Sequence, residues 1–248
     1  MKIKVISLSN STDRRKSIQR QFDRLSVPFE FFDAVTPDRA RQHIHHYDEK
    51  EFFLNSGRSA TETEIACYAS HLALWTQCAE DGDPYLILED DAKLNPFFLS
   101  GLLVAASQIN KLGFIRVSLP NTGTAHAINR IGPFDIQYCR RVPLLALGYA
   151  LSPSAARRLA DAATVVEEPV DKFMQRFWRH GQPVYAVTPP FVHLTALADE
   201  SVIGTRLRPK LGLSSWMLRA ARRAQNSILR TAYNINFIHG ALRGHANL

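Results

Sequence analysis

Cysteine is scarce in this chain of 248 residues, which contains only Cys67, Cys78 and Cys139. Three cysteines supply neither a disulfide framework nor the paired spacing of a zinc site. Cys67 and Cys78 fall in one predicted helix, where a separation of eleven residues places them roughly 16 Å apart, too far to form a disulfide. This usage is typical of a protein that works in a reducing compartment.

Long apolar runs are also missing. No stretch of the sequence approaches the roughly 20 apolar residues of a membrane-spanning helix. The N-terminal residues MKIKVISLS turn polar before the apolar core of a signal peptide can form. We therefore expect a cytoplasmic protein, with any membrane contact peripheral and on the inner face of the cytoplasmic membrane.

Acidic residues are missing from the C-terminal part of the chain, where none follows Glu200. The eight basic residues from Arg206 onward give the tail a charge of +8. Because the whole chain has a net charge of +7, the remaining residues carry a net charge of −1. This distribution predicts a domain over residues 1–205 and a basic tail over residues 206–248. The basic character belongs to the tail and says little about the ligand of the domain.

The tail has a helical pattern over residues 214–235. Its apolar stripe contains Trp216, Met217, Ala220, Ala221, Ala224, Ile228 and Ile235. Its basic stripe contains Arg219, Arg222, Arg223 and Arg230. A basic amphipathic helix with an aromatic residue near its start suits an anionic membrane surface. Packing on the domain with a solvated arginine face, or a homodimer contact, are the alternatives. No nucleic-acid recognition module accompanies the arginines, so we predict no nucleic-acid partner.

The rest of the chain has the composition of a globular α/β domain, with 46% hydrophobic and 21% charged residues. Strand patterns alternate with helix patterns from residue 2 onward, which predicts a mostly parallel central sheet flanked by helices. Thr61 and Glu64 predict a capping box at the start of a long helix. Residues 36–57 have no clear helix or strand pattern, and we interpret them as a mobile loop over the ligand site of the domain. The spacing of His43, His45 and His46 within that loop does not support a metal site.

The most informative stretch is PYLILEDD, residues 84–91. Its continuous apolar run predicts a strand that is buried on both faces. Glu89, Asp90 and Asp91 follow at the predicted carboxyl end, where open α/β sheets bind their ligands. Two carboxylates one residue apart on an extended segment point the same way and can share a hard cation. A solvated acidic turn is the alternative interpretation of the three acids.

Several segments together resemble one family. They are Ile6–Arg15 (ISLSNSTDRR), Glu64–His71 (EIACYASH), Leu86–Asp91 (LILEDD), Gly148–Ser152 (GYALS), Pro169–Asp171 (PVD) and Tyr185–Pro190 (YAVTPP). In this order they resemble glycosyltransferase family 25, the bacterial lipooligosaccharide and lipopolysaccharide glycosyltransferases, over about residues 2–203. Thr63 and Ala66 depart from the family pattern, which usually has glycine at both positions. These departures concern the packing of the helix.

The resemblance implies a nucleotide-sugar-binding fold of the GT-A type and a UDP-sugar donor. It also implies Mn²⁺ or Mg²⁺ and inversion at the anomeric carbon. A cation that bridges a diphosphate offsets the charge developing on the leaving UDP. We predict Asp91 and Glu89 as its ligands, with Asp90 on the ribose or donor sugar or ligating in place of Glu89. His193 is predicted as a further ligand or diphosphate contact, with an ordinary loop histidine as the alternative.

Inversion by single displacement needs one base to take the proton of the acceptor hydroxyl. We predict that Asp171, at the start of a predicted helix, is this base. The alternative is that Asp171 only caps the helix. Asp199 and Glu200 are the next candidates for the base. We predict that Asn10, Arg14 and His71 contribute to the donor pocket.

The expected reaction is transfer of galactose or glucose from a UDP-sugar to a lipid-linked oligosaccharide. A nucleotide-sugar hydrolase and a non-catalytic peripheral membrane adaptor are the rival functions.

Overall fold

The computed structural model describes residues 1–118, 125–195 and 212–245, with backbone alone for residues 125–126 and 239–245. The strands are β1 (Lys2–Ser7), β2 (Glu30–Asp33), β3 (His46–Tyr47), β4 (Tyr85–Glu89), β5 (Ala92–Leu94), β6 (Phe114–Arg116), β7 (Ala125–Ile131), β8 (Phe134–Cys139), β9 (Gly148–Leu151), β10 (Val165–Val166), β11 (Tyr185–Thr188) and β12 (Val192–Leu194). The helices are α1 (Thr12–Leu25), a 3₁₀ helix (Pro37–His43), α2 (Glu49–Ser56), α3 (Glu62–Asp81), α4 (Phe98–Leu112), α5 (Pro153–Ala162), α6 (Val170–Gln175), α7 (Phe177–His180) and α8 (Leu213–His245). The predicted tail boundary between residues 205 and 206 lies outside the described residues.

A central sheet of eight strands organises the described part of the domain, in the order β2-β1-β4-β9-β6-β11-β8-β7. Six of these eight strands run in one direction, and β9 and β8 run in the opposite direction. The predicted mostly parallel α/β sheet is therefore confirmed for strand direction. However, β4 pairs in parallel only with β1, because the antiparallel β9 lies between β4 and β6.

Strand β4 lies between two hydrophobic cores, as its continuous apolar run predicts. Tyr85 and Ile87 pack into the core that contains α3, α5, α6 and α7. Leu86 and Leu88 pack into the core on the other face, with α1 and α4. The alternation follows from the strand period of two. Burial on both faces fixes the direction in which β4 delivers the acidic residues that follow it.

Helix α3 is the main support of the first core. The predicted capping box is confirmed, because Thr61 and Glu64 each accept a hydrogen bond from the other's backbone N–H. Arg58 forms a buried, two-pronged ion pair with the same Glu64 carboxylate. Trp75 is fully buried farther along the helix. These contacts fix the position of α3 against the sheet.

The prediction of an irregular loop over residues 36–57 is wrong for most of the segment, which contains the 3₁₀ helix, β3 and α2. Helix α2 begins at the Asp48 cap, whose carboxylate accepts from the Glu51 N–H, and ends at Gly57 in the left-handed conformation. Phe52 is its one buried residue. A helix of eight residues with a single buried position has too short a pattern to be recognised in the sequence.

Helix α8 lies against the domain through part of the predicted basic stripe. Arg222 forms an ion pair with Glu51, and Arg219 Nε donates to the Leu54 carbonyl. Farther along, Tyr233 packs on Phe177. The large apolar side chains of α8 that are exposed are Leu213, Trp216, Met217, Leu218, Ile228, Leu229 and Ile235. Within the described residues, no helix combines the length and apolarity needed to cross a bilayer.

The contact between α4 and the segment before β12 gives a test of the packing. A Cβ atom at Gly101 would lie 2.2 Å from Cδ1 of the buried Phe191 ring. We expect Gly101→Ala to lower the free energy of unfolding by about 1–3 kcal/mol, because this overpacking outweighs the helix propensity of alanine. Urea denaturation measures the change, with Ser100→Ala on the same helix as control. An unchanged or higher midpoint for Gly101→Ala would contradict the packing.

Candidate functional site

A cavity of about 330 Å³ opens where β1 and β4 end. Its wall comes from the turn after β1, the start of α1, the segment after β2, one side of α3 and the acidic turn after β4. The lining residues are Ile6, Ser7, Leu8, Ser11, Arg14, Ala34, Val35, Pro37, Thr63, Ala66, Cys67, Ser70, Glu89, Asp90, Asp91, Leu145 and Leu194. The cavity is thus at the carboxyl edge of parallel strands, where α/β sheets bind ligands.

All three predicted acids line this cavity. The prediction of an extended segment through them needs correction, because β4 ends at Glu89 and the chain turns at Asp90 and Asp91. The turn directs all three side chains to one cavity, whereas an extended strand would alternate them. The cavity lining contains these three acids and one basic residue, Arg14. The net charge of −2 would repel a diphosphate unless a cation intervened.

Asp90 is held by two neighbours. Its Oδ2 accepts a hydrogen bond of 2.7 Å from the Ser7 hydroxyl, and its Oδ1 lies 3.1 Å from Nη1 of Arg14. Ser7 is the last residue of β1, and Arg14 lies in the first turns of α1. The structure therefore brings the predicted Arg14 and Asp90 together, with both carboxylate oxygens of Asp90 already engaged. This orientation suits hydrogen bonds to a hydroxyl-bearing ligand better than metal ligation.

Asp91 has the opposite environment. Its Oδ1 is buried and accepts no hydrogen bond from any described residue. Burial first, and then the negative charges of Glu89 and Asp90, raise the pKa of Asp91 to about 6. A buried, unpartnered carboxylate oxygen beside a second carboxylate is a donor set that fits a hard divalent cation. The residues present therefore fit the metal that the family resemblance implies.

His71 lies behind Glu89 and does not line the cavity. It is fully buried on α3, with Nε2 3.4 Å from Oε1 of Glu89. One ligand atom each from Cys67, His71 and Glu89 lies within 4.8 Å of the others. Burial, and then the charge of Glu89, raise the pKa of the Cys67 thiol well above its ordinary value. A neutral thiol is a poor ligand for Mn²⁺ or Mg²⁺, which prefer oxygen.

Asp171 lies next to the cavity, at the first turn of α6. Its Oδ2 accepts from the N–H of the lining residue Leu145 at 3.3 Å, and its Oδ1 accepts from the N–H of Lys172 at 2.8 Å. The carbonyl of Leu145 in turn accepts a 2.6 Å hydrogen bond from the buried Arg116. Leu145 has a φ of 100°, a strained value for a leucine. Arg116 and Asp171 thus hold the two ends of this residue in place.

The other predicted site residues lie outside the cavity lining. Asn10 is exposed in the turn between β1 and α1. His193 is exposed on β12, opposite Lys93 of β5, and its Nε2 lies 3.2 Å from Nδ2 of Asn95. Its role as a ligand stays a prediction. Asp199 and Glu200 lie outside the described residues.

Sequence reasoning missed several lining residues. The α3 positions Thr63, Ala66, Cys67 and Ser70 line the cavity at helical spacing. The Ser70 hydroxyl also accepts a 2.9 Å hydrogen bond from the Val35 N–H, which joins two walls of the cavity. Three of these four residues belong to the Glu64–His71 segment, so the signal was present. The segment carried the family resemblance but gave no indication of which side of α3 faces the cavity.

The raised pKa of Asp91 gives a stability test. Its folded-state pKa of about 6 exceeds its value in the unfolded chain, so ionisation of Asp91 destabilises the fold. The penalty is absent below about pH 4, grows towards pH 6 and is complete above it. At pH 7 without metal, we expect Asp91→Asn to raise the free energy of unfolding by about 1–3 kcal/mol.

Thermal unfolding with and without Mn²⁺ measures both sides of this effect. Mn²⁺ should raise the Tm of the wild-type chain and leave that of Asp91→Asn unchanged, because bound ligand stabilises the fold. The exposed Asp161, replaced by asparagine, is the matched control. A lower metal-free Tm for Asp91→Asn at pH 7 would contradict the electrostatic interpretation.

Comparison with known proteins agrees with this arrangement. Residues 1–174 match the family model described as glycosyltransferase family 25 (LPS biosynthesis protein). The chain is 30% identical over 225 residues to the lacto-N-neotetraose biosynthesis glycosyltransferase LgtE of Neisseria gonorrhoeae, covering 82% of this chain and 79% of that protein. It is 32% identical over 201 residues to LgtB of Neisseria meningitidis serogroup B, covering 75% and 72%.

A third relative matches over a shorter segment. The lipooligosaccharide biosynthesis protein lic2B of Haemophilus influenzae is 39% identical over 92 residues, which are 36% of this chain and 33% of that protein. The chain thus spans about a third of that relative and more than two thirds of the two Neisseria proteins. The family model includes β1, α3, β4 and Asp171, the elements that build the cavity and its border. On these matches, the chain belongs to glycosyltransferase family 25.

Proposed function

We propose that this chain is an inverting, metal-dependent glycosyltransferase that moves galactose or glucose from a UDP-sugar to a lipooligosaccharide or lipopolysaccharide core. The observation that carries the proposal is the buried Oδ1 of Asp91, which has no hydrogen-bond partner among the described residues and lies next to Glu89 in a cavity at the sheet edge. The family description, which names LPS biosynthesis, and the relative lic2B, a lipooligosaccharide biosynthesis protein, support this acceptor class. The arrangement of strands and cavity supports a fold of the GT-A type.

The donor is held from two sides in this proposal. Glu89 and Asp91 bind Mn²⁺ or Mg²⁺, which when bound neutralises the charge that develops on the leaving UDP. Asp90, fixed by Ser7 and Arg14, accepts hydrogen bonds from hydroxyl groups of the ribose or the donor sugar. Arg14 adds a positive charge at the same wall. Cavities of about this volume are typical of small-molecule sites.

Asp171 is the proposed general base. The backbone hydrogen bonds from Leu145 and Lys172 fix the orientation of its carboxylate at the cavity border. Asp171 takes the proton of the acceptor hydroxyl as the oxygen of that hydroxyl bonds to the anomeric carbon. The bond between that carbon and the diphosphate breaks on the opposite face, and its electron pair leaves with UDP. One displacement of this kind inverts the anomeric configuration.

Asp171→Asn tests this assignment. A panel of UDP-sugars with Mn²⁺ and truncated lipooligosaccharide first identifies the donor. With that donor, we expect the variant to lose about 10²–10⁴-fold in kcat and to keep its affinity for UDP, because the base acts only on the acceptor proton. Asp161→Asn, on the exposed side of α5, should retain full transfer. Transfer by Asp171→Asn at the wild-type rate would exclude Asp171 as the base.

The same assay separates the rival functions. A nucleotide-sugar hydrolase would release free sugar equally fast with and without acceptor. A peripheral membrane adaptor would bind no UDP in a metal-dependent manner, and Asp91→Asn would leave its behaviour unchanged.

The exposed apolar side of α8 supports a peripheral position on the inner face of the cytoplasmic membrane. Leu213, Trp216, Met217 and Leu218 form an exposed apolar group where α8 begins, near the α2 residues that Arg219 and Arg222 contact. The residues of α8 include five arginines and no acid. A second copy would bring like charge to this surface, whereas an anionic bilayer complements it. We therefore favour the membrane over a dimer as the partner of α8.

Vesicle binding tests this position. We expect Trp216→Ser combined with Met217→Ser to weaken binding to anionic vesicles at least about tenfold, because two apolar side chains no longer enter the interface. Transfer to a soluble acceptor should not change. Leu103→Ser, which removes an even more exposed apolar side chain from α4, is the control. Unchanged vesicle binding, together with a concentration-dependent dimer that the double variant dissociates, would favour the homodimer.

A further inference from the structure

The ring of His71 is buried between two polar groups that lie on opposite sides of it. Its Nδ1 is 2.7 Å from the hydroxyl of Tyr149, and its Nε2 is 3.4 Å from Oε1 of Glu89. His71 and Tyr149 are both 0% exposed. The ring therefore has no access to solvent or to the cavity. Its hydrogen-bond partners determine which ring nitrogen carries a proton.

Trp75 decides the direction of the hydrogen bonds. Its indole Nε1 lies 2.9 Å from the Tyr149 hydroxyl, and an indole nitrogen can only donate. The Tyr149 oxygen therefore accepts from Trp75, and its own proton is free to point at Nδ1 of His71. A buried hydroxyl proton without an acceptor would cost about 1–3 kcal/mol, so this direction is favoured. Nδ1 of His71 then accepts this hydrogen bond, so a ring with a single proton carries it on Nε2.

A proton on Nε2 distinguishes two roles for His71. Cys67, His71 and Glu89 are close enough together to resemble a metal-binding cluster. A nitrogen that carries a proton cannot also donate a lone pair to a metal. Nε2 is buried and makes no hydrogen bond with a described residue, and Oε1 of Glu89, an acceptor when ionised, lies 3.4 Å from it. With the tautomer set by Trp75 and Tyr149, His71 can therefore act as a hydrogen-bond donor to Glu89.

We propose that His71 is a positioning residue, whose Nε2–H, set by the chain Trp75–Tyr149–His71, would orient the Glu89 carboxylate for binding the divalent cation. This inference rests on the proposed function, because it assumes that Glu89 holds a cation. In this proposal His71 acts from behind the cavity wall, whereas the sequence predicted that it contributes to the pocket for the donor sugar nucleotide. Histidine and carboxylate partners behind a metal ligand commonly change metal affinity by about 10–100-fold.

Mn²⁺ affinity without any donor sugar is the readout, measured by electron paramagnetic resonance of the free ion. We expect His71→Leu to weaken Mn²⁺ binding about 10–100-fold, because Glu89 loses the hydrogen bond that orients it. His71→Gln, whose amide N–H reaches in the same direction, should stay within about threefold of wild type. Tyr149→Phe leaves the histidine in place and removes the hydroxyl that sets its tautomer, so we expect a loss of about 3–10-fold.

Nitrogen-15 NMR of the metal-free wild-type chain measures the tautomer directly. We expect a protonated Nε2 in the wild type and a mixture of tautomers in Tyr149→Phe. A wild-type ring protonated on Nδ1 would overturn the proposal. Because Tyr149→Phe changes one buried atom, its folding and its Mn²⁺ affinity remain measurable if His71→Leu does not fold.

The outcomes separate this inference from the function on which it rests. Wild-type Mn²⁺ affinity in a folded His71→Leu variant would overturn the positioning role and leave the proposed function intact. Weak binding in His71→Gln, equal to that of His71→Leu, would point to direct ligation and also overturn it. A wild-type chain that binds neither Mn²⁺ nor Mg²⁺ would overturn the metal dependence and this inference together.

Discussion

Mutual repulsion among three carboxylates is the constraint around which the described structure is built. Glu89, Asp90 and Asp91 leave β4 in succession and share one cavity. Ser7 and Arg14 compensate the charge of Asp90, and His71 lies 3.4 Å from Glu89. One oxygen of Asp91 has no hydrogen-bond partner in the part of the chain that the structure describes. Burial of β4 between two cores prevents the strand from turning these charges to solvent. The packing of the sheet thus preserves an unfavourable charge arrangement that the proposed cation would relieve.

Helix α3 links this charge arrangement to the rest of the fold. Its first turn is held by the capping box and the buried ion pair between Arg58 and Glu64. One side of the helix forms the cavity wall through Cys67 and Ser70, and its buried side carries His71 and Trp75. A shift of α3 along its axis would therefore alter the wall and the contact with Glu89 together. The contacts at its start fix the geometry of the site from a distance.

Local patterns predicted what depends on local chemistry. The buried β4, its acidic end and the capping box at Thr61 follow from runs, turns and spacing within a few residues, and the structure confirms them. The reversed strand β9 and the hydrogen bonds from Ser7 to Asp90 and Tyr149 to His71 join residues about 60–85 positions apart. No periodicity encodes such pairings. Helix α2 was missed for a different reason, because its pattern is too short.

The unpartnered oxygen of Asp91 also bears on how a chain of this kind would decay. In a lineage released from selection for ligand binding, a neutral residue at this position would improve folding, because it removes an ionised group from a buried site. Drift would therefore erase Asp91 early, while buried apolar wall residues such as Ile6 would persist for packing. Aspartate at this position is consequently a sensitive marker of continued use, and its replacement would identify relatives that keep the fold but lack the proposed cation site.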